Sequence, residues 1–151
     1  MSAVSRASID RSANEPFLPV VRELARAYQA FSAYSEAHVR QFNLTPAQFD
    51  VIATLGNTNG LCMGELGDKT LITKGTLTGV IDRLIQKQLV CRETLPENRR
   101  SVIVQLTPEG QEVFDRVFPA HITHLKDRFD KLDDSELELL TVLLGRLRQA
   151  F

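Results

Sequence analysis

The sequence predicts a mainly α-helical protein that carries one small β-hairpin. Over most of the chain, apolar residues recur three and four positions apart, which is the spacing of one face of an α-helix. Two short runs, 89–94 and 101–106, instead have the length and residue types of strands. Residues that cap helices, often followed by proline, stand before several of the helical patterns.

Length and composition restrict the class of protein. The 151 residues suffice for one domain with a sizeable core, and 43% of them are hydrophobic. The apolar stretches are far shorter than the ~18 residues of a membrane span. Residues 1–15 lack the apolar segment of a secretory signal, so a cytoplasmic protein with no membrane partner is expected. Cys62 and Cys91 are too few to build a disulfide framework.

The first half of the chain divides into an arm and helices. Residues 1–15 predict a flexible N-terminal arm, and residues 16–41 predict a long helix with its prolines confined to the start. Thr45 and Gln48 have the spacing of a capping box for a helix that ends near Leu55. A short helix at about 64–70 then follows an apolar piece at 61–63.

Thr73 is expected to cap the next helix, whose apolar positions form one face: Leu77, Val80, Ile81, Leu84 and Ile85. Its opposite face is small near the N-terminus and basic further along. The hairpin follows, with a loop at 95–100 that carries arginines. Thr107 then caps a helix that reaches about residue 131 and that Pro119 should bend, and Asp133 caps the last helix.

The charges are unevenly distributed. Residues 66–100 hold seven basic and four acidic residues, whereas residues 107–151 hold six basic and nine acidic ones. A basic middle and an acidic C-terminal third are expected if the middle of the chain faces a polyanion.

A short helix, a turn, an amphipathic helix and a basic hairpin follow in that order, which is the plan of a winged helix-turn-helix. The second of these helices can enter the DNA major groove, and the hairpin can place an arginine in the adjacent minor groove. Double-stranded DNA is therefore the predicted partner. The residues predicted to contact it are Thr73, Lys74, Gly75, Thr76, Thr78, Gly79, Arg83, Asn98, Arg99 and Arg100.

Four short motifs make the sequence resemble the MarR family of transcriptional regulators. They are Asp82-Arg83-Leu84, Gln88-Leu89-Val90, Asn98-Arg99-Arg100 and Leu106-Thr107-Pro108-Glu109-Gly110, and Leu44-Thr45-Pro46-Ala47-Gln48-Phe49 also matches upstream. The resemblance implies a winged helix-turn-helix lobe at 45–110. It also implies N- and C-terminal dimerisation helices at 16–44 and 111–151, and a homodimer on a pseudo-palindromic operator. The sequence supports dimerisation independently, because the last helix is apolar around much of its circumference.

Two positions depart from the family pattern. Asn98 stands where the family has an acid in the wing, and an amide would hold a wing arginine more weakly than a carboxylate. Gln88 stands where the family often has glycine, so a residue with a Cβ must end the preceding helix.

The resemblance also implies a repressor that a small aromatic or phenolic ligand releases from DNA. Tyr34, His38 and Phe49 are similar to the lining of the family's ligand cleft, although ordinary core packing explains such residues as well. No cofactor is expected.

Alternative functions remain at this level. Cys62 or Cys91 would make the protein a redox-responsive regulator, but the first helix contains no sensor cysteine. His121, His124 and His38, with Asp127, would make it metal-responsive. A winged-helix protein-interaction module is a further alternative. An enzyme is not expected, because the sequence contains no nucleophile–base pair, metal triad or phosphate-binding glycine loop.

Overall fold

The computed structural model describes residues 5–95 and 97–151, without the side chains of residues 95 and 98–101. The chain divides into two compact units, Met1–Ala37 and His38–Phe151. The predicted fold class is confirmed, since helices dominate and the strands form one small antiparallel sheet. Across the described ranges, no helix is both long and apolar enough to cross a bilayer.

The first unit contains a helix that the sequence analysis did not predict. Helix α1 spans Arg6–Ala13, and the Ser5 side chain accepts a hydrogen bond from the backbone N–H of Ser8 at 3.3 Å. It buries none of its residues. The expected arm at 1–15 therefore contains a helix, while its flexibility remains a prediction. Residues 1–4 lie outside the description.

Helix α2 spans Leu18–Arg40, close to the predicted 16–41, and passes from the first unit into the second. Large apolar side chains of the first unit are exposed to solvent: Ile9, Phe17, Val20, Val21, Leu24, Tyr28 and Phe31. An isolated chain thus leaves an apolar surface uncovered here.

Three helices of the second unit form the helix-turn-helix. They are α3 (Pro46–Leu55), α4 (Met63–Lys69) and α5 (Lys74–Gln86). The predicted capping box is confirmed: the Gln48 N–H donates to Thr45 Oγ1, and the Thr45 N–H donates to Gln48 Oε1, both at 3.1 Å. The apolar faces of these helices share one core, which includes Ile52, Leu55, Leu66, Ile81 and Leu84.

Thr73 departs from its predicted role as a side-chain cap. It is the N-cap residue of α5, but its hydroxyl makes no hydrogen bond to the backbone of the first turn. Instead, Thr73 Oγ1 donates to Thr76 Oγ1 at 2.9 Å. Two hydroxyls on the exposed N-terminal end of α5 are thus paired with each other.

The sheet contains β1 (Leu61–Cys62), β2 (Val90–Leu95) and β3 (Asn98–Leu106) in the order β1-β3-β2, all antiparallel. The predicted loop at 95–100 is wrong in its extent, because strand pairing continues to Leu95 opposite Asn98. The register of the pairing shifts between Thr94 and Leu95. The backbone of the predicted arginine-rich tip therefore belongs to β3.

Two helices complete the chain. Helix α6 spans Pro108–Phe129, with Thr107 as its cap and Pro119 inside it, and helix α7 spans Asp134–Ala150. The bend predicted at Pro119 remains a prediction. Asp133 forms the predicted capping box with Glu136. Helix α7 buries no residue of its own, and its exposed apolar side chains are Leu139, Leu140, Val142, Leu143 and Leu144.

Gln88 ends helix α5 in the left-handed conformation, with φ at 62°. Its N–H donates to the carbonyl of Ile85 at 2.9 Å, and the N–H of Leu89 donates to the carbonyl of Leu84 at 3.0 Å. This pair of bonds is the Schellman motif, in which glycine is the usual left-handed residue. The departure noted in the sequence thus places a Cβ where the backbone disfavours one.

We expect Gln88→Gly to raise the free energy of unfolding by about 0.5–1 kcal/mol, because glycine adopts this φ without steric cost. Urea denaturation of purified protein measures the change. Gln88→Ala is the matched control and should give no such gain, since alanine keeps the Cβ. An equal gain from both variants would contradict the backbone explanation.

Candidate nucleic-acid interface

Helix α5 separates a buried face from an exposed one. Leu77, Val80, Ile81 and Leu84 point into the core. The predicted contact residues of this helix and its cap are all exposed: Thr73, Lys74, Gly75, Thr76, Thr78, Gly79 and Arg83. A Cβ built on Gly75 or Gly79 would meet nothing within 4 Å. The structure thus brings these seven residues onto one accessible surface, which we call the α5 surface.

Asp50 holds the turn that leads into α5. Its Oδ2 atom accepts a hydrogen bond from the backbone N–H of Leu71 at 2.7 Å. Burial raises the pKa of the Asp50 carboxyl, whereas this hydrogen bond lowers it. A partly buried carboxylate of α3 therefore fixes the backbone just before α5.

Lys87 holds the other end of α5. Its Nζ atom donates to the carbonyl of Asn43 at 2.6 Å and to Oε1 of Gln48 at 2.9 Å. Gln48 Oε1 also closes the Thr45 capping box, so one contact ties the end of α5 to the start of α3. The sequence predicts a basic exposed face toward this end of the helix, and the structure shows Lys87 there in contact with the protein itself.

Lys87→Met is expected to lower the free energy of unfolding by about 1–2 kcal/mol. The substitution removes the charged donor from the carbonyl of Asn43 and from the buried side-chain amide of Gln48. Lys74→Met is the matched control: Lys74 lies 4.0 Å from Asp68 in an exposed ion pair, which contributes little. Urea denaturation should separate the two variants. Equal stability of both would show that the Lys87 contacts do not hold the helix.

The hairpin of β2 and β3, which we call the wing, is joined to α5 by an ion pair. Nη2 of Arg92, on β2, lies 2.7 Å from Oδ1 of Asp82 on α5. Both side chains are partly exposed, so the pair contributes more to orientation than to stability. Asp82 belongs to the Asp82-Arg83-Leu84 motif, and the structure assigns its three residues different positions: an ion pair, the solvent and the core.

The base of the wing is held by the motif that begins at Leu106. Thr107 Oγ1 accepts from the N–H of Gly110 at 3.0 Å and donates to the carbonyl of Gln88 at 2.7 Å. The N–H of Thr107 donates to the carbonyl of Leu89 at 3.1 Å. The motif thus fastens the start of α6 to the start of β2. The side chains of Asn98, Arg99 and Arg100 lie outside the described residues, and their DNA contacts remain predictions.

A cluster of imidazoles lies within the second unit, at the end of α2 and on α6. Nδ1 of His38 lies 2.9 Å from Nδ1 of His121, and the His38 and His124 rings stack with centroids 4.1 Å apart. The rings of Phe49 and His121 meet edge-on, with their centroids 4.6 Å apart. Desolvation, together with the charges of His38 and His124, lowers the pKa of His121 to about 4. The sequence analysis grouped His38 with His121 and His124 as possible metal ligands, but it did not predict the direct contact between the His38 and His121 rings.

The structure also shows where the predicted ligand residues and the two cysteines lie. It brings His38 and Phe49 together around His121, while Tyr34 lies on α2 in the first unit. Cys62 and Cys91 are free thiols of intermediate burial. Among the described His, Cys, Asp and Glu side chains, no group of three or more is arranged to hold a metal ion.

Comparison with known proteins assigns the chain to a family. The model of the MarR family matches residues 44–102. The HTH-type transcriptional regulator MhqR of Bacillus subtilis is 31% identical over 82% of this chain and 86% of its own length. The HTH-type transcriptional repressor NicR of Pseudomonas putida is 30% identical over 76% of this chain and 73% of its own length.

Solved structures agree. BpsR of Bordetella bronchiseptica, whose DNA binding is regulated by 6-hydroxynicotinic acid, superposes with a TM-score of 0.78 at 28% identity. The match covers 89% of this chain and 96% of BpsR. The relatives are transcriptional regulators and not enzymes. With its exposed α5 surface and its three-stranded sheet, the chain belongs to the MarR family of DNA-binding transcriptional regulators.

Proposed function

We propose that the protein is a homodimeric repressor that binds a pseudo-palindromic operator through the α5 surface and is released by a small aromatic ligand. The observation that carries the proposal is the α5 surface itself, with its hydroxyls, its two open glycines and its basic side chains. The N-terminus of a helix also favours the phosphate groups of DNA, because its first N–H groups point outward.

Dimerisation is supported by the apolar side chains that a single chain leaves exposed. They lie on α1, at Phe17 and on α2 in the first unit, and on α7 in the second. Exposed apolar patches of this kind mark protein–protein interfaces, and a two-fold dimer buries the same surface on both chains. Such a dimer would present two α5 helices about 34 Å apart, one helical turn of DNA.

Release by a ligand is supported by the relatives and by the imidazole cluster. BpsR responds to a hydroxylated aromatic acid, and NicR is named a repressor. His38 and Phe49, two of the predicted ligand residues, lie around His121 in this chain. A ligand that binds better to one arrangement of the two α5 helices would shift the population toward it.

Retention of genomic DNA fragments from the source organism at two salt concentrations tests the proposal. Sequencing the retained fragments should reveal a palindromic site, and sedimentation should show two chains per complex. Retention without enrichment would contradict sequence-specific binding, and no retention at either salt concentration would favour a protein-interaction module. Addition of aromatic acids to the complex then tests release.

Two variants assign roles within the site. Arg99→Ala should weaken binding and reduce the salt slope by about one for each phosphate that the arginine neutralises. Lys131→Ala removes the same charge outside the lobe and should leave the slope unchanged. Thr76→Ala should reduce discrimination between operator and random DNA by about tenfold. An equal loss of affinity on both DNAs would show that Thr76 only positions the helix.

A further inference from the structure

A leucine lies exposed to solvent directly ahead of α5, the proposed recognition helix. Leu71 occupies the turn between α4 and α5, and its side chain is 93% exposed. Within the described part of residues 45–110, no other large apolar side chain is exposed. Exposure of one leucine is common on protein surfaces, so its meaning depends on how the side chain is held and where it lies.

The outward position of Leu71 is fixed by its neighbours. Its backbone N–H donates to the Asp50 carboxylate at 2.7 Å. On one side Thr70 is buried, and its hydroxyl donates to the carbonyl of Leu66 at 2.6 Å. On the other side Ile72 packs against the core. The backbone therefore holds Leu71 in a defined place, and its side chain is presented rather than loosely placed.

Leu71 also adjoins the α5 surface. It precedes the N-cap residue Thr73 by two positions, so the two Cα atoms are within about 7.6 Å of each other. In helix-turn-helix proteins, the N-terminal residues of the recognition helix contact the base edges. The neighbouring side chains of Thr73, Lys74 and Thr76 offer polar contacts. An apolar side chain among them gains affinity only by covering an apolar group, and the major groove offers the C5-methyl of thymine.

We propose that Leu71 is a specificity-determining residue that packs against the C5-methyl group of one thymine in each half-site. The proposal rests on the DNA-binding function proposed above. It assigns sequence discrimination to a residue outside α5, through apolar contact rather than hydrogen bonding. Asp50 acts as the positioning residue, because it holds the backbone that carries Leu71.

The test replaces each thymine of the retained operator, one position at a time, by deoxyuridine, which lacks only the methyl group. Wild-type protein should lose about fourfold in affinity at one position per half-site, the equivalent of one apolar carbon exposed to water. Leu71→Ala should bind the unmodified duplex at least fourfold more weakly than wild type does. Deoxyuridine at the same position should cause the variant no further loss of affinity. Losses at the other thymines should be unchanged.

Two controls accompany the variant. Leu71→Ala should unfold at the same temperature as wild type, because the side chain makes little contact with the protein. Leu71→Met keeps an apolar side chain of similar reach and should keep the sensitivity to deoxyuridine.

Identical deoxyuridine profiles for wild type and Leu71→Ala would overturn the proposal. So would an equal loss of Leu71→Ala on operator and random DNA, which would indicate a sugar contact, and so would unchanged affinity of Leu71→Ala. Failure of wild type to retain any operator would overturn the proposed function instead, and this result is obtained before any Leu71 variant is used.

Discussion

Replacing Gly110 by alanine is expected to lower the free energy of unfolding by about 3 kcal/mol or more. An added Cβ would lie 1.9 Å from the carbonyl oxygen of Leu89 and 2.9 Å from its carbonyl carbon. Both are backbone atoms, and Leu89 is held on either side by its hydrogen bonds to Leu84 and Thr107. Neither strand β2 nor helix α6 can give way without breaking these hydrogen bonds. Urea denaturation measures the destabilisation.

Gly79→Ala is the matched control for this substitution. Gly79 is also helical, but a Cβ there meets nothing within 4 Å. Alanine should therefore raise the free energy of unfolding by up to about 1 kcal/mol, through its higher helix propensity. The same substitution should thus have opposite signs at the two positions. A Gly110→Ala protein as stable as wild type would contradict the close approach of α6 to Leu89.

Acid should destabilise the protein through His121, by up to about 3 kcal/mol between pH 6.5 and pH 4. His121 is 1% exposed, and its pKa is lowered from 6.5 to about 4, first by desolvation and then by the charges of His38 and His124. Above pH 6.5 the imidazole is neutral in the folded and unfolded states alike. Below this pH the unfolded state binds a proton that the folded state excludes, so stability falls until the folded pKa is reached.

The contact between His38 and His121 agrees with two neutral imidazoles. With Nδ1 of His38 and Nδ1 of His121 only 2.9 Å apart, one nitrogen must donate and the other accept. Protonation of both rings would direct two N–H groups at each other. Burial and the charge of His124 also lower the pKa of His38.

Denaturation at pH 7 and pH 4.5 of wild type and His121→Gln measures the effect. Glutamine occupies the buried site without titrating, so most of the acid destabilisation should disappear whatever the stability at pH 7. His124→Gln leaves His121 in place and should keep most of the acid destabilisation. An unaltered pH dependence in His121→Gln would assign the acid sensitivity to other groups.

Local signals were predicted well from the sequence. The caps at Thr45, Thr107 and Asp133 act through residues at most three positions away, and the structure shows all three. The exposed face of α5 followed from helical periodicity alone. Thr73 is the exception, because the hydroxyl of Thr76 lies within reach and pairs with the Thr73 hydroxyl in place of the backbone.

Contacts between distant segments were not predictable in the same way. His38 and His121 are 83 positions apart, and only the packing of the end of α2 against α6 brings their rings together. The clamp of Lys87 on Asn43 likewise spans 44 positions. Helix α1 was missed because its residues are polar and bury nothing, so no apolar period marks it. The loop predicted at 95–100 was too long because proline and arginines are typical of loops, although strand pairing continues to Leu95 opposite Asn98.

The exposed side chains of the α5 surface are separate from the contacts that hold the helix in place. Its outward side chains do not enter the core, while Asp50 and Lys87 hold the helix from its two ends. If the α5 surface contacts DNA as proposed, substitutions on this face change which sequence is bound while the packed side of the helix stays the same. The proposed interface would then allow new operators to be bound by exchanging a few exposed residues, with the core and the contacts of Asp50 and Lys87 unchanged.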